Sequence, residues 1–127
     1  MKFLVVEDCP FKRESVAKFL KSRDVDFVFT YSLKPTLRYI SKKSNRLSGI
    51  VLNLGLCSTN ISSDYDYLMG FDVLTKLKEL QLNIPVLINS NHQVYLEYLI
   101  EAYPFVKGQI NDENDYSALE KFIKTLE

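Results

Sequence analysis

No apolar run in this chain approaches the length that crosses a bilayer. The N-terminal Phe3-Leu-Val-Val6 is cut short by Glu7-Asp8. Neither a membrane segment nor an export signal is predicted, and the expected address is the cytoplasm. Charge of one sign is also missing. Sixteen basic residues balance sixteen acidic ones, so no net field draws nucleic acid or an anionic membrane, and direct nucleic-acid binding is not expected. Cysteine is scarce: Cys9 and Cys57 have no Cys-x-x-Cys spacing and read as free thiols rather than a disulfide framework. With His92, a redox or soft-metal site remains their alternative reading. Repeats, linkers and low-complexity segments are lacking too. What is present is 127 residues, 46% hydrophobic and 25% charged, the profile of a single globular domain over 1–127.

Strand-like and helix-like segments alternate along the chain. Lys2 to Val6 is a β-rich run, and Phe11, Val16, Phe19 and Leu20 then recur at helical spacing. Val25, Phe27 and Phe29 alternate through Thr30, followed by Leu33, Leu37 and Ile40 in a second helix. Ile50 to Leu54 is a third strand, and Phe71 to Leu80 a third helix opened by Gly70. Ile84-Pro-Val-Leu-Ile88 is a fourth strand with its proline near the start, and Val94 to Ile100 a fourth helix. Tyr103 to Val106 reads as a short fifth strand. A last helix carries Tyr116, Leu119, Phe122, Ile123 and Leu126, with Asp112, Glu113 and Asp115 suited to its N-terminal turn. Five such pairs predict right-handed crossovers and a parallel sheet with helices on both faces. In that architecture a ligand site lies beyond the C-terminal ends of the strands. The residues expected there are Glu7-Asp8, Asn53, Asn89-Ser-Asn91 and Lys107.

In order and position this set resembles a response-regulator receiver domain of two-component signalling. The family has an acidic pair after the first strand, an acceptor at the third-strand tip, a hydroxyl after the fourth and a Lys after the fifth. The resemblance spans essentially the whole chain. It implies a flavodoxin-like (βα)5 fold with a five-stranded sheet in the order 2-1-3-4-5. It also implies an Mg²⁺ ion held by Glu7, Asp8, Asn53 and the Gly55 carbonyl, with Ser90 and Lys107 as the phosphate pocket. The physics is that of phosphoryl transfer to a carboxylate, where metal, hydroxyl and ammonium stabilise the phosphoryl oxygens.

Asn53 departs from the family, because a neutral amide is a far weaker nucleophile than a carboxylate. It also removes one negative charge from what would be three clustered acids. The expectation is a stand-alone pseudo-receiver, not an enzyme, that acts by protein contacts. The resemblance places those contacts, with a partner or in a homodimer, on the face of the fourth helix, fifth strand and fifth helix, where Tyr95, Tyr98, Leu99 and Tyr103 cluster. Gly108 stands where the family usually has Pro after the Lys, which argues against a cis bond there. Tyr103 or Phe105 stands near the family's aromatic switch position.

Other readings stay open. Glu7 and Asp8 are a divalent-cation site, or else solvated acids with Asp8 capping the next helix. Lys107 pairs with Glu7 or Asp8 across the pocket, or is an exposed strand-end Lys. Ser90 is a sensing hydroxyl or a turn residue. The stretch at about 55–69 is far longer than the roughly 2–6 residues usual between strand and helix. If the chain uses another acceptor, Asp64 and Asp66 of that stretch and Ser90 are the candidates. If its 57–67 portion is a lid, the chain is a small-ligand sensor.

Overall fold

The computed structural model describes residues 1–55, 70–90, 96–112 and 115–127. β1 (Lys2–Val6), β2 (Asp26–Thr30), β3 (Gly49–Leu52), β4 (Val86–Asn89) and β5 (Val106–Ile110) form one sheet in the order β2-β1-β3-β4-β5. Every pairing is parallel. Between and after the strands run α1 (Pro10–Ser22), α2 (Leu33–Lys43), α3 (Gly70–Glu79), α4 (Leu96–Ala102) and α5 (Ser117–Leu126). A single 3-10 turn, Ser44–Arg46, leads from α2 toward β3. The flavodoxin-like arrangement and its strand order are those expected.

The strands bury residues on both faces, as period-two alternation in a helix-covered sheet requires. Leu4, Val6, Ile50, Leu52, Val86 and Ile88 pack on one side with Ile40 of α2, Val73, Leu74 and Leu77 of α3, and Leu99 of α4. Phe3, Val5, Val51 and Leu87 pack on the other with Val16 and Leu20 of α1 and Leu119, Phe122 and Ile123 of α5. Phe11, counted by spacing as part of the apolar face of α1, instead projects into solvent at 81% exposure.

The fifth strand lies further along the chain than its composition suggests. Residues 103–105 form a turn after α4, in which the Val106 N–H donates to the Tyr103 carbonyl at 2.9 Å and the Tyr103 N–H to Leu99 at 2.8 Å. Pairing starts at Val86 with Val106 and then skips, because Leu87 faces Gly108. Lys107 is thus the extra residue of a bulge. The skip switches the strand's faces: Val106 belongs to the α2–α3–α4 side and Ile110 to the α1–α5 side.

Asp115 is the acid that serves the start of α5. Its Oδ1 accepts the Ser117 N–H at 2.9 Å, and that hydrogen bond holds its carboxyl below the usual range. Asp112 lies a turn earlier, its carbonyl accepting the Asp115 N–H. Glu113 lies outside the described residues.

Candidate functional site

Parallel register brings the tips of β1 and β3 together. Val6 is level with Leu52, and the Asn53 N–H donates to the Val6 carbonyl at 3.0 Å. The next residues, Glu7 on one strand and Asn53 on the other, therefore emerge side by side at the C-terminal edge of the sheet. Both are buried, Glu7 at 1% exposure. Asn53 Nδ2 donates to Glu7 Oε2 at 2.7 Å and makes a long contact of 3.4 Å with Asp8 Oδ1. The amide orientation follows from its neighbours: the Gly55 N–H donates to Asn53 Oδ1 at 2.9 Å, so the oxygen faces a donor while the nitrogen faces carboxylates.

Glu7 Oε2 also accepts the Cys9 N–H at 3.2 Å, whereas its Oε1 is buried with no hydrogen-bond partner. Burial pushes the Glu7 carboxyl up to about 7, and the adjoining Asp8 carboxyl adds to the rise. The Asn53 amide, the Cys9 N–H and the charge of Lys12 act the other way. Near neutrality, Glu7 therefore holds a proton for much of the time.

Asp8 does not cap α1. The N-cap residue is Cys9, with no side-chain cap bond, and Pro10 opens the helix. What does hold the acidic turn is Arg13, which stands outside the receiver-like set of residues. Its Nη1 donates to the carbonyls of Glu7 and Asp8, each at 3.3 Å, and its guanidinium stacks on Tyr31 with 4.0 Å to the ring centroid. Its place in the first turns of α1 is legible in sequence, but its choice of backbone carbonyls over carboxylates is not.

Ser90 follows β4 directly and is buried, as is Asn89. Since Leu52 is level with Ile88, Ser90 stands on the Asn53 edge of the sheet. Lys107 does not. As the bulged residue at the start of β5 it lies at the opposite end of the sheet, exposed, with Nζ donating to the Pro104 carbonyl at 3.0 Å. Its expected pairing with Glu7 or Asp8 is thereby corrected. The strand tip on the site side is Ile110, followed by Asn111. Among the described residues there is no cis peptide.

Gly70, the first residue of α3, lies beside the same tip. The Gly70 N–H donates to the Leu54 carbonyl at 3.0 Å. A Cβ on Gly70 would stand 2.5 Å from Leu54 Cα and 2.8 Å from the Asn53 carbonyl oxygen, so this close approach requires glycine. Cys57, Asp64, Asp66 and the rest of 56–69 lie outside the described residues, as do His92 and Tyr95. Tyr103 and Phe105 pack with ring centroids 5.9 Å apart, Phe105 buried and Tyr103 half-buried against Thr75 Oγ1. Among the described residues no three His, Cys, Asp or Glu side chains cluster as a metal site, and no helix is long and apolar enough to cross a membrane.

No protein-family model and no curated protein matches this sequence. Solved structures do. A signal receiver domain from Vibrio parahaemolyticus superposes with a TM-score of 0.76 at 16% identity, over 98% of this chain and 88% of that one. The receiver domain of a Francisella response regulator gives 0.75 at 17% identity, over 98% and 94%. The response regulator TrrA from Thermotoga maritima, in complex with Mg²⁺ and BeF, gives 0.74 at 16% identity, over 99% and 98%. This chain has the fold of response-regulator receiver domains.

Proposed function

We propose that the chain is a receiver-like signalling module that works through protein contacts and carries no phosphoryl group at the usual position. The observation that bears the reading is Asn53, whose amide nitrogen lies between the Glu7 and Asp8 carboxylates. In a receiver fold that tip carries the reactive carboxylate. Here it carries a weak nucleophile whose oxygen is already engaged by the Gly55 N–H. The amide puts a donor where a cation would otherwise hold two acids together, and the module keeps one arrangement without chemistry. On this reading it is not an enzyme.

The donor set still suits a hard cation. TrrA is known with Mg²⁺, and two carboxylates with an unpartnered buried Oε1 on Glu7 offer the oxygen ligands that Mg²⁺ takes. In this chain Glu7 and Asp8 would hold it. Asn53 Oδ1 joins only if the amide turns and releases the Gly55 N–H. Binding also requires Glu7 to lose its proton, so it strengthens as pH rises through about 7. When bound, the ion supplies charge neutralisation for the acidic pair.

The face of α4, β5 and α5 is the reading's contact surface. Tyr98 and Ile100 are exposed there, and a groove of about 570 Å³ is lined by Leu87, Leu96, Gly108, Lys121 and Phe122. Exposed aromatic and aliphatic side chains on α4, and a groove between β5 and α5, favour a protein partner.

The test is to incubate wild type and Asn53→Asp with Mg²⁺ and a small-molecule phosphodonor and to read intact masses. Labelling of the mutant alone is expected. Labelling of the wild type would overturn the proposal and turn attention to another acceptor, Ser90 at the β4 tip or Asp64 and Asp66. Labelling of neither would mean that the pocket has left phosphate chemistry altogether.

A further inference from the structure

The molecule is neutral overall but its charges are sorted. Between Asp26 and Asp64 the sequence has Lys34, Arg38, Lys42, Lys43 and Arg46 and no acid. Lys34, Arg38 and Lys42 recur every fourth residue along the exposed side of α2, about 6 Å apart. Among the described residues none of these cations takes part in an ion pair, since both salt bridges found there belong to Glu120. Beside Arg38 and Lys42 lies a groove of about 270 Å³ lined by Thr30, Pro35, Tyr39 and Lys43 as well, with a mostly apolar surface.

α4 is the counterpart. It has no basic residue, and its outer side presents Glu97 and Glu101, again one turn apart, with Tyr98 between them at 71% exposure. Both helices pack on the same side of the sheet, and α3 separates them. It contacts α2 on one flank and α4 on the other, where Lys78 donates to the Ala102 carbonyl. Two helix spacings, roughly 16–20 Å, exceed the ~8 Å screening length at physiological ionic strength. The two patches cannot neutralise each other within one molecule.

We infer that α2 of one copy docks α4 of a second, with Tyr98 entering the 270 Å³ groove and Glu97 and Glu101 meeting Arg38 and Lys42. A second copy suits this groove better than a nucleic acid does, because the groove's inside is mostly apolar, a fit for an aromatic ring flanked by acids and not for phosphates. The contact is head-to-tail, so each added copy leaves one α2 and one α4 unused and assembly continues as an open chain or a ring. The inference rests on the proposed contact role of the α4 face and names its occupant.

The experiment is sedimentation of the full chain, with circular dichroism to check folding, in about 0.01 M and about 1 M salt, where the screening length is ~30 Å and ~3 Å. Wild type is expected to gain mass with concentration at low salt and to lose that gain at high salt. R38E/K42E and E97K/E101K should each be monomeric, and an equimolar mixture of the two should regain association, because the unaltered α2 of E97K/E101K meets the unaltered α4 of R38E/K42E and the two reversed helices match each other as well. A monomeric wild type at low salt, or a mixture without rescue, overturns the inference and leaves the phosphodonor result untouched. Association that survives R38E/K42E overturns it in favour of a two-fold pairing on the α4–β5–α5 face. A wild type that stays monomeric while its α2 captures a polyglutamate peptide or a DNA duplex overturns it in favour of a foreign acidic ligand.

Discussion

One nitrogen of Asn53 faces two carboxylates while the oxygen of the same amide accepts a backbone N–H. Asn53→Asp turns a donor into a further carboxyl group beside Glu7 and Asp8 at a buried point. Without Mg²⁺ the variant is expected to lose about 1–3 kcal/mol of stability by like-charge repulsion and desolvation, and to recover it when Mg²⁺ is added. Urea unfolding with chelator and with Mg²⁺ measures both halves, and equal midpoints for wild type and variant in chelator would dismiss the repulsion. Glu7 supplies a second expectation. Its folded carboxyl is pushed up to about 7 from an ordinary 4.5, so between those pH values the folded state holds a proton that the unfolded state has released. Its contribution is complete below about 4.5 and is lost as pH rises through 7, on the order of 1–3 kcal/mol. In chelator, Glu7→Gln should flatten that slope, and a variant with the wild-type slope would place the titration elsewhere. Glu7 and Asn53 were legible as a pair because each ends an apolar strand. The direction of the amide was not, since it depends on the Gly55 N–H.

At the scale of elements, β1 and α3 announce themselves by continuous apolar residues and by clean helical spacing. β5 does not, because Tyr103 and Phe105 attract a strand assignment that belongs to Val106 and the residues after it. Gly108 and Gln109 interrupt the apolar run, yet their backbone makes the ladder. A bulge depends on the neighbouring strand and leaves no periodic trace in its own. The displaced Lys107 gives a direct check. Lys107→Ala should change stability by less than about 0.5 kcal/mol, as for other exposed positions, and in the Asn53→Asp background it should leave phosphodonor labelling unaltered. A collapse of labelling would return Lys107 to the pocket and contradict the register of β5.

Taken as a whole, the molecule has two apolar layers that share a single sheet. Leu52 faces one layer and Val51 the other, so neither layer can come apart while the strands remain paired. Leu52→Ala should cost about 2–5 kcal/mol and move the entire urea transition. Tyr39 and Tyr116, on opposite sides of the sheet, would report the same midpoint by fluorescence of single-tyrosine variants. Two separate midpoints would mean that the layers unfold independently. The alternation of strand and helix made the α/β class readable from sequence. The strand order came with the receiver resemblance, because nothing local in β1 says that β2 and β3 flank it.

The hydrogen bond between Gly70 and Leu54, together with the contact that admits only glycine there, closes the chain on itself beside Asn53. Position 70 is thereby tied to the site at a distance of seventeen residues along the chain: a methyl group there would press on the Asn53 carbonyl and on the backbone of Leu54, so Gly70→Ala acts on the tip of β3 although residue 70 belongs to α3.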